Sequence, residues 1–132
     1  MRFTEHELTT ALTGTAKSVL ARQDKAIRKG KVDVDTAWDA MDRYQRFKLL
    51  DALGTQILPV LVALPDVEVE PGTRPTFTDA QVSEVVEARF GEDVGRVRRK
   101  AMIIGQVALV RTALDHLPPR IDPDALTFAD DL

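Results

Sequence analysis

Apolar side chains recur along most of this chain at three- and four-residue intervals, the pattern of helices that bury one face. The first stripe is Leu8, Ala11, Leu12, Thr15, Val19 and Ala26, with Ala16, Leu20 and Ile27 beside it. Its start is written in Phe3-Thr4-Glu5-His6-Glu7-Leu8. Thr4 is placed as N-cap, Glu7 completes a capping box three residues on, and Phe3 can staple against Leu8. A helix is therefore predicted from about Glu5, stopped by Arg28, Lys29 and Gly30, because cations in a last turn followed by glycine end helices.

A second helix is predicted to open at Asp33 or Asp35 and to carry Ala37, Trp38, Ala40, Met41, Tyr44 and Phe47 on one broad face before Leu49, Leu50 and Leu53. Gly54 is expected to end or bend it. Thr55 can cap a short continuation over 56–64, with Pro59 in the first turn, where its missing N–H costs little. Residues 65–76 form the one clear non-helical stretch: Asp66 to Glu70 alternate, Pro71-Gly72 turns, and Pro75 keeps Arg74 extended. This reads as an extended arm. Phe77, Thr78 and Gln81 then repeat the chemistry of the first helix start, so a third helix is predicted from about Asp79 to Phe90. A duplication is not supported by the residues downstream, since Gly14 would pair with Ala88 and Ala16 with Phe90.

Gly91 breaks the third helix, and a fourth is predicted over 92–117, ended by Pro118-Pro119. It holds the most hydrophobic run of the chain, 101–110, in which Gln106 is the one strongly polar side chain. A segment apolar on all sides is expected to be enclosed. Val94, Val97, Ala101, Ile104 and Ala108 lie on one stripe, with Gly105 beside it; Ile103, Val107, Val110, Leu114 and Leu117 lie on another. The small centre of the first matches the small flank Ala11, Gly14, Thr15 and Ser18, so the first and fourth helices are expected to cross with Gly14 near Gly105. The second stripe needs a cover as well. That cover is either the chain's own helices or a second copy, which makes Ile103, Val107, Val110 and Leu114 a candidate protein interface.

These elements predict an all-α fold: a compact bundle of four to five helices around the central hydrophobic helix 92–117, with the arm at 65–76 and a short acidic C-terminal tail. One helical domain is expected over 1–120, followed by a tail at 121–132. The chain's 132 residues suffice for a core without staples. Forty-four per cent of them are apolar and 30% charged, which excludes a disordered or fibrous chain. There is no cysteine, so disulfides, thiolate metal sites and thiol nucleophiles are excluded together, and the cytoplasm is the expected compartment. The charged start lacks the apolar stretch of a signal peptide. The apolar runs fall far short of the roughly 20 residues of a membrane span, so no membrane role is expected. A net charge of −3 is too mild to name a partner.

The motifs that carry chemistry mostly fail on inspection. Gly14-Thr15-Ala16-Lys17-Ser18 lacks the glycine that a phosphate-binding loop needs directly before its lysine, and it lies inside a helix. His6 and His116 have no ligand-type neighbour on their own helix faces, so a metal site has no seed. Asp33, Asp35 and Asp39 resemble the opening of a calcium loop, but Ala37 stands where an oxygen belongs and no closing glutamate follows. Ser18 and Ser83 lack a glycine-flanked elbow and a base. No catalytic residue, metal or cofactor is predicted.

Two basic stretches remain. Asp42-Arg43-Tyr44-Gln45-Arg46-Phe47-Lys48 has the composition of a nucleic-acid surface, but Asp39 with Arg43 and Asp42 with Arg46 read as intrahelical pairs, and Tyr44 and Phe47 are assigned to the core face. Arg96, Arg98, Arg99 and Lys100 are harder to assign, because cations at the start of a helix oppose its dipole. An acidic group or a ligand anion is expected beside them. With Gly91 as a turn glycine, 79–100 has the outline of a helix-turn-helix, which makes these four residues candidate nucleic-acid contacts. The leading expectation is a non-enzymatic protein acting through protein contacts, as a homo-oligomer or part of an assembly. DNA binding is the alternative. The third reading is a small-molecule site between helices, with Trp38, Tyr44 and Gln106 as orienting groups; an unpaired Gln106 amide facing a cavity would favour it.

Overall fold

The computed structural model describes residues 1–91 and 95–121. Among these the chain forms six helices and no β-strand: α1 (Glu5–Gln23), α2 (Lys25–Arg28), α3 (Val34–Ala40), α4 (Arg43–Ala63), α5 (Asp79–Glu87) and α6 (Arg96–Asp115). The all-α bundle expected from the periodicity is present. The predicted helix start at Glu92, Val94 of the first stripe, and the acidic tail from residue 122 onward lie outside the described residues.

Both predicted capping boxes form. The Glu7 N–H donates to Thr4 Oγ1 at 3.0 Å and the Thr4 N–H to Glu7 Oε1 at 2.8 Å. At α5 the Gln81 N–H donates to Thr78 Oγ1 at 3.1 Å and the Thr78 N–H to Gln81 Oε1 at 2.8 Å. The staple residues Phe3 and Phe77 are buried.

Aspartates divide what the periodicity joins. Asp24 accepts from the N–H groups of Ala26 and Ile27 at 2.8 and 3.2 Å, so α1 stops and α2 begins at a new cap. Asp42 accepts from the Tyr44 N–H at 3.0 Å and starts α4 two residues after α3 ends. The separate 56–64 segment does not exist, because α4 runs unbroken through Gly54 and Pro59. Leu53, Ile57, Val60 and Leu61 are buried along one line of α4, and that burial outweighs the roughly 1 kcal/mol that glycine costs a helix interior. Pro59 and Thr55 are both exposed, so water can serve the Thr55 carbonyl that has lost its donor.

Helix α6 packs against α1, α4 and α5 but on one side only. Ile103, Val110, Ala113, Leu114 and Leu117 are buried and Val107 is half-buried. The other stripe is in water: Val97, Ala101, Ile104, Gly105 and Ala108 are exposed. The expectation that 101–110 is enclosed is therefore corrected. When only one face can be covered, the face with larger aliphatic side chains removes more apolar area from water.

The predicted crossing moves with it. A methyl group built on Gly105 would meet nothing within 4 Å, whereas one built on Gly14 would overlap the His116 ring. Helix α1 thus meets the C-terminal end of α6. The close approach uses the small flank of α1 as expected, but its partner is His116, held by an Nδ1–H bond to the Thr112 carbonyl oxygen at 2.8 Å.

The arm and both chain ends fasten the bundle. Gly72 turns the arm at φ 85°, a left-handed conformation that favours glycine. The Arg120 N–H donates to the Thr73 carbonyl oxygen at 2.8 Å and the Gly72 N–H to the Arg120 carbonyl oxygen. The Arg120 side chain reaches the first helix, where it pairs with the buried Glu7 carboxylate. At the far end of α4, the Met1 ammonium donates to the Val62 carbonyl oxygen at 3.0 Å and to that of Leu64. A cation there complements the negative end of the helix.

Candidate functional site

Two surfaces of α6 are left without a structural explanation. The first is its outer face. Val97 and Ile104 are 84% and 60% exposed. With Ala101 and Ala108 they form a line spaced four, three and four residues apart, the spacing at which a helix meets a helix. Gly105 lies next to the centre of this line.

The second surface is a cleft of about 870 Å³ between α5 and α6. Ser83 and Glu87 line it from α5; Arg96, Arg99, Lys100, Ile103, Ile104 and Val107 line it from α6. The cations occupy the first turn of α6, and the aliphatic side chains follow one turn further on. Gly95 caps α6 without a side-chain acceptor, and the first turn contains no acidic residue. Among the described residues, Arg96, Arg98 and Lys100 make no salt bridge. Arg99 donates from Nη2 to the Glu87 carbonyl oxygen at 3.3 Å, while its buried Nε has no partner.

Three of the four candidate basic residues thus converge on one cleft, and Arg98 is exposed outside its lining. The candidate interface residues are placed differently. Ile103, Val110 and Leu114 are buried in the chain's own core with Val107 packed against it, which leaves the smaller stripe as an exposed apolar face of α6. The three candidate ligand-orienting residues do not come together. Trp38 is buried on α3, Tyr44 is 64% exposed at the start of α4, and the Gln106 Nε2 donates to the Gln56 carbonyl oxygen. Gln106 does line a smaller cleft against α4, but its amide is partnered.

Tyr44 and Phe47 require a correction: both are exposed, Phe47 at 62%, rather than on the core face. The new cap at Asp42 resets the helix, and the buried line through Leu53 continues backward through Leu50, Leu49 and Arg46, which passes them by. The predicted pairs Asp39 with Arg43 and Asp42 with Arg46 are not among the ion pairs formed. Asp39 lies on α3 and Arg43 on α4, and Asp42 is engaged as a cap. Lys48 instead lies over the Tyr44 ring, 5.5 Å from its centre.

The helix-turn-helix outline is looser than the sequence suggests. Residues 88–95 separate α5 from α6, where that motif uses a turn of about three or four residues. Among the described residues no cluster of three or more His, Asp or Glu side chains converges, and no helix is long and apolar enough to cross a membrane. No protein family, curated protein or solved structure matches this chain. The basic residues of the cleft are candidate anion contacts in the sequence, whereas the outer stripe is there assigned to a crossing with the first helix. Ser83 and Glu87 share one side of α5 at a spacing of four, but only the packing of α5 beside α6 brings them to the basic turn.

Proposed function

We propose that this chain is a non-enzymatic helical module that works through protein contacts, with the outer face of α6 as its self-association surface. The observation that carries this reading is the exposure of Val97 and Ile104 in register with Ala101 and Ala108. Leaving two such aliphatic side chains in water forgoes about 1.5–3 kcal/mol each.

A second copy fits this face because the face is self-complementary. In an antiparallel pair with its two-fold axis between Ile104 and Gly105, Ile104 lies over the partner's Gly105, where there is open space, and Ala101 meets the partner's Ala108. Small residues let the axes approach closely. The antiparallel sense also opposes the two helix dipoles, which is favourable for adjacent helices. The cytoplasm is the setting this reading takes, supported by a sequence without cysteine.

Light scattering across concentrations from about 1 μM to about 1 mM tests the proposal. The expected result is a mass approaching twice 14.6 kDa for the wild type, returning to one copy in Val97→Glu. A wild type that stays at one copy throughout would remove self-association.

A further inference from the structure

The cleft between α5 and α6 combines a basic wall with an aliphatic one. Among the described residues, Arg96, Arg99 and Lys100 bring three cations to its wall, and the one lining carboxylate, that of Glu87, pairs with none of them. The Arg99 Nε–H is withdrawn from water without an acceptor, although a buried donor left unpaired costs about 1–3 kcal/mol. Beside these groups lie Ile103, Ile104 and Val107, and the volume of about 870 Å³ falls within the range of small-molecule sites.

We infer that this cleft binds a small organic anion with an apolar body: Arg96, Arg99 and Lys100 hold its charged group, and Ile103 and Val107 contact its body. The charged group is a carboxylate or a phosphate, the acceptors that a guanidinium fork matches in pairs. It accepts from the Nη–H groups of the two arginines and the Nζ–H groups of Lys100, and it offsets the positive charge at the start of α6. A bare inorganic ion would leave the aliphatic wall uncovered. A nucleic-acid duplex would need these cations on a protruding element, whereas they line a recess.

Calorimetric titration of the whole chain with 1-naphthyl phosphate and 1-naphthoate tests this, with inorganic phosphate and 1-naphthol as the separated halves. Binding of either naphthyl anion at least about tenfold tighter than both halves is expected, and the tighter anion identifies the charged group. Arg99→Gln, and separately the pair Arg96→Gln with Lys100→Gln, should each weaken binding about tenfold. The second change is at exposed side chains and should leave the thermal midpoint in place. No binding at millimolar ligand, equal binding of inorganic phosphate, or affinity unchanged in both variants would overturn the site. Displacement of the probe by a short DNA duplex would assign the cations to a polyanion instead. Val97 is not in the lining, so Val97→Glu should bind the probe as the wild type does, and loss of binding there would also overturn a site built within one chain.

Discussion

Arg120 and Glu7, 113 positions apart, share two hydrogen bonds of 2.8 and 3.2 Å in the core of the bundle. The same carboxylate accepts the Thr4 N–H, so one side chain serves a helix cap and closes the chain end on the chain start. Arg120→Ala leaves that carboxylate buried with its cation gone, and a loss on the order of 3–5 kcal/mol is expected in urea unfolding. Glu7→Gln should cost less, about 1–3 kcal/mol, because a glutamine can complete the cap as Gln81 does in α5. A loss below about 1 kcal/mol for Arg120→Ala would show that the pair adds little to stability.

Glycine to alanine should act in opposite directions at two positions. At Gly54 a methyl would lie 3.6 Å from Leu58 and 3.7 Å from Leu12, ordinary contact distances, so Gly54→Ala should raise stability by about 0.5–1 kcal/mol. At Gly14 the methyl would overlap the His116 ring and force α1 and α6 apart, with an expected loss of about 1–3 kcal/mol. Thermal unfolding of the two variants reads both signs.

Gly105→Ala separates folding from association. Its methyl enters open space in a single chain, so the unfolding free energy should rise by up to about 1 kcal/mol. If Ile104 of a second copy occupies that space, the same methyl weakens the pair, and sedimentation should show less dimer from a more stable chain. Unchanged association would move the contact away from this face.

Arg111 joins the start of α5 to α6, donating to the Phe77 carbonyl oxygen at 2.7 Å and standing 3.3 Å from the Asp79 carboxylate. Arg111→Ala should lower stability by about 1–2 kcal/mol, chiefly through the carbonyl bond, since Asp79 is well exposed. Hydrogen exchange should report it first in α5. Uniform loosening across all helices would contradict a local role.

The starts of α1 and α5 are legible from the amino-acid sequence. Thr4 with Glu7 and Thr78 with Gln81 act within four residues, so their chemistry is local, and the arm at 65–76 follows from Pro65, Pro71, Gly72 and Pro75 in the same way. The sequence by itself also determined that α6 has two apolar stripes. Tertiary structure alone decided which of them was covered, because burial depends on how many neighbours the rest of the chain supplies: α1, α4 and α5 all stand on the side of Val110 and Leu114. The continuity of α4 through Gly54, the exposure of Tyr44 and Phe47, and the meeting of Glu7 with Arg120 were decided the same way. Each depends on contacts between residues far apart in the chain, whose energies exceed the local preferences that periodicity records. The basic turn at Arg96 to Lys100 belongs to both levels. Its charge is plain in the sequence, but only the packing of α5 against α6 set three of those cations beside an apolar wall, with none of the described carboxylates paired to them.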